Sequence, residues 1–101
     1  MKIVSKKLRN SARGQDCTLN IAGVCNYNPE TVVLAHLPDE SKGMGTKADD
    51  ISACFACSAC HDYIDGRAGG KMALQDTEWY MRRAMVRTWR VWVESKLLLI
   101  K

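Results

Sequence analysis

Four cysteines stand in two spaced pairs, Cys17 with Cys25 and Cys57 with Cys60, and they restrict the fold more than any other feature of the chain. A C-x2-C knuckle lets two thiolates reach one tetrahedral ion. The longer C-x7-C pair does the same if the chain turns back between its ends, and Ala22-Gly23 supplies a turn. Together they predict a closed four-thiolate zinc site, structural in type because no coordination position stays open. Such a site staples an N-terminal loop to the start of a central helix.

The remaining bulk properties agree with an ion. Five cysteines cannot all pair within one chain of 101 residues. The N-terminal "MKIVSKKLRNSARGQDC" is charged and has no apolar h-region, and no segment approaches a membrane span. The expectation is therefore a cytoplasmic chain without membrane partners, where paired cysteines bind metal rather than form disulfides. Cys54 is left over; it reads as a small buried residue on a strand, with substitution for Cys57 as ligand its alternative role. A 47 % apolar content excludes disorder and fits a single domain over residues 1–101.

Two other readings of "CFACSACHDYID" (54–65) compete with zinc. Cys57-x2-Cys60-His61 has the letters of a haem attachment site, which calls for export and leaves the other cysteines without a role. Cys54, Cys57 and Cys60 have part of a ferredoxin spacing, but no fourth cysteine followed by proline lies downstream. Zinc uses four of the five thiols and is preferred.

Along the chain, residues 1–14 read as a basic lead-in, Lys2, Lys6, Lys7, Arg9 and Arg13 without an acid, ending in a short helix stopped at Gly14. "DCTLNIAGVC" suggests a short strand and a turn. "TVVLAHL" (31–37) is β-branched and apolar and predicts a strand ended by Pro38, with Val32, Leu34 and His36 on one face. A polar loop leads to a second strand at "ISACF" and a short helix over His61–Asp65. From Asp76 or Thr77 as N-cap, a long helix is expected over the last third, whose broad face of Trp79, Met81, Met85, Val86, Trp89, Trp92 and Val93 suggests core or a homodimer interface. "LLLI" (97–100) either continues it or adds a strand.

Both histidines occupy distinctive places. His36 closes an apolar strand, and His61 follows the cysteine knuckle with Asp65 one turn on, the spacing that puts two ligands on one helix face. In "CTLNIAGVCNYNPETVVLAHL", "GMGTKADD" and "ACSACHDYIDGR" the chain resembles the HNH endonuclease superfamily, and most of all its small phage- and prophage-encoded nuclease-like chains related to a phage recombination-enhancing nuclease. The likeness spans about residues 13–67.

The resemblance implies an α+β fold: a ββα-metal (His-Me finger) core with the four-cysteine zinc site over 15–70 and a long C-terminal helix over 74–101. It implies His36 as general base, since neutral imidazole accepts a proton near neutral pH. It implies His61 and Asp65 as ligands of a catalytic Mg2+ or Mn2+, with Asp62 available to complete the shell. The family's metal-binding residue before the base is Ala35 here, and its central Asn is missing; Asp50 is the candidate to orient His36, with Ser52 its rival. Lys42, Lys47 and Arg67, with the basic N-terminus, would contact DNA phosphates. The expected activity is metal-dependent hydrolysis of DNA with weak sequence preference; the alternative is a catalytically silent zinc module that binds nucleic acid or protein.

Overall fold

The computed structural model describes residues 2–38, 48–66 and 72–101. It is a small α+β arrangement. Helix α1 (Lys6–Asn10) leads through a single helical turn at Pro29–Thr31 to strand β1 (Val33–His36), strand β2 (Ala53–Ala56), helix α2 (Ser58–Ile64) and helix α3 (Leu74–Glu94). Lys42, Lys47 and Arg67 lie outside the described residues.

The two strands are antiparallel, pairing Val33 with Ala56, Leu34 with Phe55, Ala35 with Cys54 and His36 with Ala53. Paired residues share a sheet face, so His36 stands on the side of Leu34 and Phe55. All four β2 residues are fully buried, as a run of small side chains around one phenylalanine allows. Phe55 meets Trp92 of α3 edge to face, centroids 6.1 Å apart at 81°. Burying such a ring contributes about 1.5–3 kcal/mol.

The expected strand from Asp16 does not form. The Thr18 and Leu19 amides both donate to the Phe55 carbonyl, at 2.8 and 3.4 Å, and Asn20 then turns the chain at φ +41°. What looked like a strand is a clasp on the outer edge of β2. The turn after it is where Ala22-Gly23 placed it: Val24 and Cys25 donate to the Ile21 carbonyl at 3.0 Å, and Gly23 takes φ +76°.

Helix α1 is more than a basic lead-in. Ser5 caps it, its hydroxyl accepting from the Leu8 amide at 3.3 Å, and Leu8 and Ala12 enter the core. The helix stops at Asn10, before the turns that end at Gly14.

Helix α3 begins at Leu74, two residues before Asp76, and its N-cap Ala73 offers no side-chain bond. Asp76 sits in the first turn instead, where a negative charge meets the positive end of the helix. The buried line is Ala84, Thr88 and Trp92, four residues apart. Met81, Met85 and Trp89 pack at its margins, whereas Trp79 is 57 % and Val93 37 % exposed. The expected continuation to 101 fails for a local reason. Lys96 takes φ +63°, its amide donates to Val93, and Leu97 donates to Trp92 at 2.8 Å, which closes the helix in a Schellman arrangement. Residues 97–100 are neither helix nor strand. No helix among the described residues is long and apolar enough to cross a membrane.

Candidate functional site

The clasp and the start of α2 bring four sulfurs together. Those of Cys17, Cys25, Cys57 and Cys60 all lie within 4.8 Å of one another, and those of Cys25 and Cys57 are 3.9 Å apart. Four thiolates on a tetrahedral zinc, with bonds of about 2.3 Å, would stand about 3.8 Å apart. A disulfide needs about 2.05 Å, and all five thiols are free. The backbone is arranged around the sulfurs as well. Cys17 accepts from the Asn20 and Cys57 amides at 3.3 Å each, Cys60 from Ile21 at 3.4 Å, and Cys57 from Cys60 at 3.4 Å while capping α2.

Protonation explains why this cluster wants a cation. The Cys60 thiol, against the effect of burial, holds Cys17 down to about 5, helped by the Cys57 and Asn20 amides. Cys60, donating to Cys17 and buried, is pushed well up, and burial pushes Cys25 up to about 11. Thiols so crowded cannot all ionise beside one another unless a metal ion neutralises them. The set is positioned to hold one, and sulfur ligands in this number suit structural zinc. Cys54 takes no part; it is buried on β2, and burial, with the nearby Cys17 charge, pushes its thiol up to about 12.

A second cluster gathers at the other end of the hairpin. His36 Nε2 lies 2.7 Å from Asp50 Oδ1. The same carboxylate accepts from the Ser5 amide at 2.7 Å and from Arg9 Nε at 3.0 and 2.9 Å. The Asp50 side chain is 1 % exposed and that of His36 12 %. Burial pushes the Asp50 carboxyl up, but the bonds from His36, Ser5 and Arg9, with the Arg9 charge, outweigh it and hold the group below its ordinary value. It is therefore a carboxylate at neutral pH and offers only acceptors. The proton between the two side chains sits on His36 Nε2, and whenever the ring is neutral its lone pair is therefore on Nδ1. Ser52, the rival partner, donates instead to the Leu37 carbonyl at 3.0 Å.

Helix α2 carries the third group. His61 Nε2 and Asp65 Oδ2 are 3.3 Å apart, with both side chains partly open to solvent. Among the described residues, the four cysteines alone form a group of three or more metal-ligating side chains close enough for one ion. The structure thus places the sequence-derived residues in three sets: the cysteines, His36 with Asp50, and His61 with Asp65. Arg9 and Ser5 join the second set without having been singled out; the signal was the N-cap pattern at Ser5, which puts Arg9 one turn on.

A protein-family model described as "Putative nuclease YbcO" matches residues 6–96. The chain is a member of the YbcO family. Two relatives called "Putative nuclease YbcO", from Escherichia coli (strain K12) and from Enterobacteria phage 82, are each 45 % identical over 92 residues, covering 90 % of this chain and 95 % of theirs. A solved structure, described as a putative bacteriophage protein from Escherichia coli str. K-12 substr. MG1655, matches with a TM-score of 0.71 at 38 % identity, covering 89 % of this chain and 100 % of that one. The family match runs from α1 past the end of α3 and takes in all three sets of residues.

Proposed function

We propose that this YbcO-family chain is a metal-dependent endonuclease of the HNH type, hydrolysing DNA phosphodiester bonds with weak sequence preference. The strand–strand–helix order, with a histidine closing the first strand and a second one on the helix, supports reading residues 15–70 as a zinc-stapled ββα-metal finger. One observation carries the mechanism: the 2.7 Å bond from His36 Nε2 to the buried Asp50 carboxylate. It holds the imidazole in one tautomer with Nδ1 free to take a proton from a water molecule, and it stabilises the imidazolium that results. Asp50 thereby does the work of the family's missing Asn.

His61 and Asp65 would hold a catalytic Mg2+ or Mn2+. Their 3.3 Å separation suits two neighbouring positions of an octahedral ion, whose ligands at about 2.1 Å stand about 3 Å apart. Such an ion, when bound, stabilises negative charge on the phosphate and the departing oxygen. The thiolate site fixes the first turn of α2 and so the direction in which His61 projects. Lys42, Lys47 and Arg67 are assigned to backbone phosphates, contacts that carry little sequence information.

The reading is tested by plasmid nicking. Purified protein nicks with Mg2+ or Mn2+, and His36→Ala loses nicking while keeping its circular dichroism spectrum. Wild-type cleavage by that variant removes His36 as base. The burial of Asp50 and the partial burial of His36 favour one second reading, a catalytically silent zinc module that binds nucleic acid or protein; inactivity of wild type across metals and substrates would select it.

A further inference from the structure

The Arg9 guanidinium reaches Asp50 through Nε alone, at 3.0 and 2.9 Å from the two carboxylate oxygens. Its Nη1 and Nη2 make no hydrogen bond to any of the described residues, and the side chain is 45 % exposed while Asp50 is 1 % exposed. Held through Nε, the guanidinium keeps the four N–H donors of Nη1 and Nη2 without a partner among the described residues. The oxygen it shares, Asp50 Oδ1, is the one that holds His36. The buried carboxylate therefore orients a base and a cation side by side. The same N-terminal stretch also carries Lys2, Lys6, Lys7 and Arg13, so the charge of the segment that bears Arg9 is positive.

We infer that Arg9 binds the phosphate group attacked at His36, its Nη donors on the two non-bridging oxygens and its Nε pinned by Asp50. The inference rests on the nuclease reading for the role of His36, but the phosphate contact itself does not. A guanidinium suits the task because its planar fork matches two phosphate oxygens and stays charged at every working pH. Pinned at one end, it also loses little rotamer entropy when the phosphate arrives.

The experiment compares wild type, Arg9→Gln and Arg9→Lys for binding a fluorescein-labelled duplex without added Mg2+ or Mn2+, from about 50 to about 200 mM salt. Arg9→Gln should bind roughly tenfold more weakly, with the slope of log affinity against log salt lower by about one. Arg9→Lys keeps a charge but has no fork, so it should keep the slope while its cleavage falls through kcat. Because Arg9→Gln also loosens α1, the contact is read in wild type too: the Nη–H signals of Arg9 in 15N-arginine-labelled protein should shift on adding the duplex, and the Nε–H signal, held by Asp50, should stay. An unchanged salt slope in folded Arg9→Gln, or Nη–H signals that ignore the duplex, overturns the inference and leaves Arg9 as a structural partner of Asp50. Absence of cleavage by wild type, with the slope and signals behaving as stated, would sink the nuclease reading and not the phosphate contact.

Discussion

Replacing Asp50 with asparagine keeps the shape of a nearly sealed side chain and changes its hydrogen-bonding sense on one atom. Both carboxylate oxygens accept: Oδ1 from His36 and Arg9, Oδ2 from the Ser5 amide and Arg9. An amide NH2 in the Oδ2 position points at the Ser5 N–H, 2.7 Å away, donor against donor. In the Oδ1 position it forces His36 to accept on Nε2, which moves the ring proton to Nδ1. Bonds to a charged group contribute about 1.5–3 kcal/mol each. The Arg9 pair is discounted because that side chain is 45 % exposed to screening solvent. Losing the Ser5 bond with its donor left buried, or reversing the His36 bond against the Arg9 Nε that shares Oδ1, together with losing the charge they all point at, therefore costs about 2–4 kcal/mol. For a chain of this size that lowers the melting temperature by about 10–25 °C. Differential scanning calorimetry of Asp50→Asn measures it, and a melting temperature within about 3 °C of wild type would refute the network as drawn. If the nuclease reading holds, the surviving folded fraction should also lose kcat by up to about 10^4, the scale of a base held in its wrong tautomer. The pH sign is fixed by the same carboxylate. Its value is held below the ordinary one of 3.8, so its stabilising share is full above that range and is lost as pH falls through the lower folded value. Asp50→Asn should flatten the acid limb of the stability curve and leave the alkaline limb alone.

Elemental analysis of the purified chain should find one zinc, and Cys57→Ser, or removal of the ion with a strong chelator, should unfold it; a zinc-free preparation with a native circular dichroism spectrum would contradict the thiolate site. Thr88 is fully buried and its hydroxyl meets the Phe55 amide at 3.2 Å and Thr18 Oγ1 at 2.9 Å, so Thr88→Val should cost about 1–3 kcal/mol in a urea melt. An unchanged midpoint would mean that β2 and α3 do not meet there. A homodimer through α3 would cover the groove lined by Val86, Trp89, Val93 and Ile100. Light scattering should give twice the chain mass at high concentration, and monomer mass throughout removes the interface.

What the sequence disclosed were the features enforced by short spacing. The two cysteine pairs, the β-branched strand ending at His36 and the long amphipathic helix all follow from local periods. The clasp at Thr18–Leu19 did not, because its partner Phe55 is 37 residues away and nothing local distinguishes two bonds to one carbonyl from a strand. The buried line of α3 was misjudged for a similar reason. Summing hydrophobicity favours Trp79 and Val93, whereas close approach to β2 selects the small Ala84 and Thr88, and the large side chains flank that contact. Arg9 was hidden among basic residues of equal charge; only the buried carboxylate that turns its Nε inward sets it apart.

Cys60 and His61 are consecutive, so one residue of α2 is bolted to the sulfur cage and the next is the first of the helix-borne polar pair. If that cage holds an ion, it acts as a dial. Exchanging that ion for a larger thiophilic one would stretch the bonds to sulfur, shift the first turn of α2 and so re-aim the neighbouring imidazole, with no atom of that ring altered.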